Sequence, residues 1–226
     1  MTDGQFRIIV NSNGPYLVLG EIPLVRRYTA KTIYGEPMEW DAVGVAGFDI
    51  LVDGPYELCR CGQSNNMPFC DKTHQQIAFK AELKADRRLS VERRRSFQGS
   101  NFVMTDDGSL CSSAGFCGTR LTKVWKMIQV SDDPEVRARI LRMVENCPSG
   151  RLVAWTEDGQ EVEPAYRPSI AAVTDGPLWV RGGIPIEAPD GFVYEVRNRV
   201  TLCRCGSTRN MPFCDGSHEQ VKFVAP

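Results

Sequence analysis

Two stretches of sixteen residues hold both histidines and six of the nine cysteines of this chain. One runs Cys59-Arg-Cys-Gly-Gln-Ser-Asn-Asn-Met-Pro-Phe-Cys70-Asp-Lys-Thr-His74. The other runs Cys203-Arg-Cys-Gly-Ser-Thr-Arg-Asn-Met-Pro-Phe-Cys214-Asp-Gly-Ser-His218. Each reads Cys-x-Cys, eight residues, Cys, three residues, His. In the first, the candidate ligands are Cys59, Cys61, Cys70 and His74; in the second, Cys203, Cys205, Cys214 and His218. Cys-x-Cys puts two thiolates on the same side of an extended or looped backbone, which suits one metal atom. Cys-x3-His supplies two further ligands, which suit a second. Three thiolates and one imidazole satisfy a tetrahedral structural zinc site. They equally satisfy a [2Fe-2S] cluster with a ligand set between all-cysteine ferredoxins and the two-His, two-Cys Rieske centres. Spacing alone leaves both open.

The elements that must position these ligands are also repeated. Asn13-Gly-Pro-Tyr-Leu-Val-Leu-Gly-Glu-Ile-Pro-Leu24 matches Asp175-Gly-Pro-Leu-Trp-Val-Arg-Gly-Gly-Ile-Pro-Ile186. Each reads as a Gly-Pro turn, a short apolar strand, and a Gly with Ile-Pro that end it. The metal motifs lie 144 residues apart and the Gly-Pro strands 162, so the first copy carries 18 extra residues, assigned to Tyr28 through Asp49. Extended runs, Phe48 to Val52 and Phe192 to Leu202, precede the two motifs. Related tails, Gln76 to Phe79 and Gln220 to Phe223, follow them. The expected arrangement is two similar β units packed as a dimer fused into one chain.

A stretch of different character, roughly Ala85 to Gly159, separates them. Ser131-Asp-Asp-Pro-Glu has the capping residue, acids and early proline of a helix start. Val136, Ile140, Leu141 and Val144 then recur at helical spacing, and Asn146-Cys147-Pro148 ends the helix. A strand is expected over Arg151 to Trp155, and a short helix near Lys123 to Met127. The remaining cysteines, Cys111, Cys117 and Cys147, lie here as Cys-x5-Cys followed by a distant Cys-Pro. Scattered cysteines often serve as small buried hydrophobes; this pattern is also a candidate metal constellation.

Composition bounds the remaining choices. A length of 226 residues and a net charge of −1 fit one or two domains without the bulk basic field of a nucleic-acid binder. The run Arg93-Arg-Arg95 reads as a solvated strand face, and the four tryptophans as core. No secretory signal or run of transmembrane length is evident. With an odd number of cysteines, this points to a reducing, cytoplasmic setting and metal ligation instead of disulfides. Both histidines are committed to the motifs, so no Ser/His/Asp constellation is available, and no phosphate loop stands out. The chain is not expected to be an enzyme.

The motif resembles the signature of the CDGSH iron-sulfur domain family (mitoNEET-like). The second copy matches it throughout, at Cys203, Cys205, Thr208, Pro212, Cys214, Asp215, Gly216, Ser217 and His218. The first matches at Cys59, Cys61, Ser64, Pro68, Cys70, Asp71, Thr73 and His74, and departs at Lys72, where the family has Gly. The resemblance implies one [2Fe-2S] cluster per motif, held by three Cys and one His. It looks like a tandem, prokaryote-type member without a membrane anchor. The segment around Cys111, Cys117 and Cys147-Pro-Ser-Gly-Arg-Leu resembles the divergent single-cluster ferredoxin domain sometimes fused to such motifs. Ala114 stands where those ferredoxins place a fourth cysteine, so a [3Fe-4S] cluster is favoured over a [4Fe-4S] one.

The expected fold is α+β, mainly β, with two CDGSH units (1–85 and 161–226) paired by internal pseudo-twofold symmetry around a ferredoxin-like α/β insert (86–160). The expected role is electron transfer or redox and pH sensing by a monomer that docks a redox partner protein, without nucleic acid or membrane. Storage and delivery of clusters to an apo-protein acceptor is the first alternative, and a zinc-stabilised interaction module the second. Asp71 and Asp215 are expected to accept backbone N–H bonds in the turn before the histidine. If Gly216 adopts positive φ, Lys72 in the same conformation costs about 1 kcal/mol, and the two sites become inequivalent. Arg60 and Arg204 read either as counter-charges to the clusters or as solvent-facing side chains.

Overall fold

Each Gly-Pro repeat forms the turn of a hairpin. Asn13 and Asp175, at matching positions, take φ of 49° and 54°, a left-handed conformation that Asn and Asp tolerate better than most residues. The computed structural model describes residues 6–41 and 54–226. The first copy contains β1 (Arg7–Val10), β2 (Tyr16–Leu19), β3 (Leu24–Arg27), β4 (Thr29–Lys31), β5 (Pro37–Trp40) and β6 (Tyr56–Leu58), then a single helical turn, α1 (Thr73–Gln76). The middle stretch contains β7 (Arg95–Gln98), β8 (Phe102–Asp106), α2 (Val124–Met127), α3 (Pro134–Glu145), β9 (Leu152–Thr156) and β10 (Glu161–Val162). The second copy contains β11 (Ser169–Val173), β12 (Leu178–Arg181), β13 (Ile186–Glu187), β14 (Arg199–Leu202) and α4 (Ser217–Gln220). The architecture is α+β and mainly β.

The two end sheets have matching orders, β13-β1-β2-β6 and β3-β11-β12-β14. Each is an antiparallel three-stranded meander from one copy with a fourth strand donated by the other. The donated strands lie parallel to their hosts: Ile8 opposite Ile186 on one side, Leu24 opposite Ile170 on the other. Both follow directly on the repeated Ile-Pro. That proline ends one pairing and lets the chain cross to the opposite sheet. One core joins the copies, with Ile8, Val10, Tyr16, Val18 and Leu58 packed among residues such as Ile170, Leu178, Val180, Val200 and Leu202.

The middle stretch forms its own antiparallel sheet, β10-β9-β8-β7, with a separate core that includes Phe102, Met104, Ile140, Val144 and Leu152. Its last strand lies just beyond the expected boundary at residue 160. The helix forms as the sequence predicts: Pro134 opens α3, and the Asp133 carboxylate accepts from the N–H of Glu135 and Val136 at 2.8 and 3.3 Å. Ile140 and Val144 supply its buried stripe. The last carbonyls of α3 are satisfied by Arg199 of β14, whose Nη1 donates to the carbonyls of Val144, Glu145 and Cys147 at 2.7 Å each. The insert is thereby tied to the second copy at the C-terminal end of α3, beside Cys147-Pro148.

Several local expectations are corrected. The run from Phe192 to Leu202 is regular strand only over Arg199–Leu202; the Glu195 carboxylate in its irregular part instead accepts from the N–H and hydroxyl of Ser90. The run Phe48 to Val52 lies outside the described residues. Arg93 to Arg95 is not a solvated face: Arg93 is bound to the buried Asp107 at 2.8 Å and Arg94 lies over Trp155, leaving Arg95 exposed at the start of β7. Of the tryptophans, Trp179 is buried, whereas Trp40, Trp125 and Trp155 are half-buried. Among the described residues no helix is long and apolar enough to cross a membrane.

Candidate metal centres

In both motifs the loop between the second and third cysteines folds back on the strand that precedes it. Cys59 N–H donates to the Pro68 carbonyl at 2.8 Å and Cys70 N–H to the Glu57 carbonyl at 3.0 Å. Their counterparts, Cys203 to Pro212 and Cys214 to Thr201, are both 2.9 Å. Ser64 and Thr208 brace the loop by donating to the carbonyls of Phe69 and Phe213 at 2.6 and 2.8 Å. The third cysteine is thereby returned to the first two.

Asp71 and Asp215 then set the step to histidine. Asp71 accepts from the N–H of Asn65 and Thr73 at 2.8 and 3.0 Å; Asp215 accepts from Arg209 and Ser217, both at 3.0 Å. The backbone donors of Asn65 and Thr73 hold the Asp71 carboxyl well below the usual carboxylate range. Burial pushes Asp215 upward, but the bonds from Ser217 and Arg209 outweigh it and hold it at about 2. Lys72 and Gly216 follow in the left-handed conformation, φ 73° and 86°. The condition on which the Lys72 strain rests is therefore met, and Lys72 carries about 1 kcal/mol of it. Their N–H groups donate to the Cys70 and Cys214 sulfurs at 3.4 Å.

The donors converge in pairs. Cys59 and Cys61 sulfurs are 3.7 Å apart, as are Cys203 and Cys205. Two thiolates on one tetrahedral metal, with bonds of about 2.3 Å, stand about 3.8 Å apart. Cys70 Sγ lies 3.4 Å from His74 Nδ1, and Cys214 Sγ 3.3 Å from His218 Nδ1. A tetrahedral thiolate–imidazole pair requires about 3.5 Å. Among the described residues no three such donors gather as a single ion would require. The residues present fit a group with two metal atoms, each taking one pair.

The two motifs touch back to back. Cys61 and Cys205 form an antiparallel bridge, and the glycines that follow them sit against the opposite backbone. A Cβ on Gly62 would lie 2.4 Å from the Cys205 carbonyl oxygen, and one on Gly206 would lie 2.5 Å from that of Cys61. Tyr16, fully buried in the first copy, donates its hydroxyl to the carbonyls of Cys203 and Pro212 in the second at 2.8 and 3.0 Å.

Arg60 and Arg204 are 1% exposed, so the solvent-facing reading is wrong. Arg60 donates to the carbonyls of Gly14 and Asn11 at 2.7 and 2.6 Å, and Arg204 to those of Gly176 and Pro226 at 3.0 and 2.8 Å and to that of Val173. Each thus ties its motif to the Gly-Pro turn of its own copy. Arg60 Nη1 has no partner among the described residues. Burial pulls Arg204 down to about 10, opposed by the Cys59 thiolate of the other motif; burial likewise lowers Arg60, opposed by Tyr16 and Cys203. A buried cation without an anion is costly. Here the compensation comes from neutral carbonyls and from aromatic rings, Phe79 under Arg60 and Phe223 under Arg204.

Cys111, Cys117 and Cys147 line one small cavity together with Ala114, Ser149 and Arg151. Cys147 is placed by the end of α3, and Cys117 by its carbonyl bond to Val124 N–H at 3.0 Å at the head of α2. Arg151, which pairs with Asp106 at 2.6 Å, lines the same cavity as Cys111. Sequence reasoning missed Tyr16, Arg151 and Arg199. It also passed over Gly62 and Gly206, although the repeated Cys-x-Cys-Gly was there to flag them.

Two family models match. One, described as an iron-binding zinc finger of CDGSH type, matches residues 13–75 and again 175–219. The other, described as a divergent 4Fe-4S mono-cluster, matches residues 97–157. No curated protein and no solved structure matches the chain.

Proposed function

The chain belongs to the CDGSH iron-sulfur family, as a tandem member with a divergent mono-cluster insert, and on that premise we propose that it is an electron carrier with two [2Fe-2S] clusters and a third cluster between them in sequence. Cys59, Cys61, Cys70 and His74 hold one cluster, and Cys203, Cys205, Cys214 and His218 the other. The carrying observation is the pairing of donors: two thiols at 3.7 Å and a thiol–imidazole pair at 3.3–3.4 Å in each motif. A zinc module would need all four on one ion. When bound, such a cluster supplies one-electron chemistry, at a potential raised by its neutral imidazole. The protein's part is to enclose the sulfur ligands, donate N–H bonds to them, and set Arg60 and Arg204 against their charge.

The exchanged strands and the bridge between Cys61 and Cys205 support an internal pseudo-twofold axis that passes between the clusters, so the chain acts as a monomer built like a dimer. Three thiols around one cavity favour a [3Fe-4S] cluster in the insert. The matched family model is titled for four irons, and such a cluster would leave one iron without a thiolate. One-electron chemistry at the clusters supports a carrier over an enzyme, and the free cysteines support a reducing compartment such as the cytoplasm.

The half-exposed Cys70 and His74 favour a second reading, delivery of a cluster to an apo-protein. Mixing the loaded, oxidised chain with reduced holo-ferredoxin and with apo-ferredoxin separates the two. Electron exchange with the holo form is expected to finish well before any cluster reaches the apo form. Cluster transfer that outpaces electron exchange would replace the carrier reading with delivery.

A further inference from the structure

The two motifs share a backbone but not their surroundings. Over the second, the insert's loop closes directly. A Cβ on Gly216 would lie 2.1 Å from Ser113 Oγ and 2.6 Å from Ser113 Cβ, and Asn210 Nδ2 donates to the Ser109 carbonyl at 3.0 Å. Cys111, a candidate ligand of the insert, lies within that loop. Met211, Cys214, Ser217 and His218 are all buried. Among the described residues nothing equivalent packs over the first motif. Met67, Cys70, Thr73 and His74 are half-buried, while Asn65, Asn66 and Lys72 are exposed. At the point of closest approach, where the second motif has Gly216 without a side chain, the first presents Lys72. Its side chain is 64% exposed, and its ammonium lies 3.7 Å from Glu57. Such an exposed pair is worth little and is free to re-pair. The neighbouring Asp71 carboxylate is turned into its own loop.

We propose that the open face of the first motif, Asn65 to Met67 with Lys72 to His74, is the docking surface for an acidic iron-sulfur protein. The partner's cluster loop takes the place over this motif that Ser109 to Gly115 takes over the second, with a carboxylate opposite Lys72. The second motif exchanges electrons internally with the insert, and the first exchanges them with the partner. This assignment rests on both motifs holding clusters.

The test uses the iron-loaded chain, oxidised, and a reduced [2Fe-2S] ferredoxin of low isoelectric point, the direction in which the electron runs downhill. By stopped flow at low ionic strength, Lys72→Glu is expected to slow electron exchange about tenfold or more, and Lys72→Gly by a few-fold. Salt at about 0.5 M should erase the differences. Arg139→Glu, the same charge change on the exposed face of α3, should have an effect below about twofold. Hydrogen exchange gives a readout independent of electron flow: the ferredoxin should protect amides in 65–67 and 72–76 and leave 207–217 unchanged. Protection of 207–217 instead, or a Lys72→Glu rate within about twofold of the unaltered chain, overturns the proposal. A chain that binds no iron and no acid-labile sulfide is recognised beforehand by its absorbance, and overturns the cluster reading on which the proposal stands.

Discussion

Exchanging His218 for cysteine lowers the midpoint potential of one cluster by about 100–350 mV and leaves the other where it was. The reason is charge. A neutral imidazole from His218 in place of a thiolate would make a bound cluster about one unit less negative, which favours the reduced form. Two imidazoles separate Rieske centres from plant-type ferredoxins by several hundred millivolts, and one should account for about half of that. The site favours a large effect, because His218 is only 9% exposed and Cys214 beside it 2%, so water does little to screen the added charge. His74→Cys should move the other cluster in the same direction but by less, since the first motif is more open. An EPR-monitored redox titration resolves the two waves. Unchanged potentials in both variants would show that neither histidine is a ligand.

Gly62→Ala and Gly206→Ala should each destabilise the chain by about 2–5 kcal/mol and loosen both motifs together. A side chain at Gly62 meets the Cys205 carbonyl oxygen at 2.4 Å, and one at Gly206 meets the Cys61 oxygen at 2.5 Å. Both obstacles are backbone and cannot rotate away. Both glycines also have φ of 79°, which alone costs an alanine about 1 kcal/mol. Gly35→Ala isolates that conformational part: its φ is 78°, and nothing lies within 4 Å of the added atom. Urea denaturation followed by far-ultraviolet circular dichroism should rank Gly35→Ala far milder than the other two. Equal costs at all three positions would mean that the motifs do not meet as described.

The pairing of thiol and imidazole donors was legible because it is encoded locally. Cys-x-Cys and Cys-x3-His fix pair distances through a few backbone torsions, and the repeat displayed the same solution twice. The start of α3 within Ser131 to Glu135 and its stripe of Ile140 and Val144 were legible for the same reason, although the cap itself is Asp133. The exchange of β3 and β13 was not, because parallel pairing between Leu24 and Ile170, and between Ile8 and Ile186, leaves no periodic trace in either strand. Arg60 and Arg204 illustrate the limit most clearly. An arginine between two cysteines is solvent-facing or buried depending on what the other half of the chain lays over it, and here each copy's Gly-Pro turn supplies the carbonyls that make burial tolerable. Arg199 was invisible likewise, since its partners lie at the end of a helix more than fifty residues away.

The most direct test of the central claim is the count of iron, zinc and acid-labile sulfide per chain in protein purified without oxygen. Two [2Fe-2S] clusters predict about four irons and four sulfides, and a [3Fe-4S] cluster in the insert raises these to about seven and eight. About one zinc per motif without labile sulfide would contradict the account.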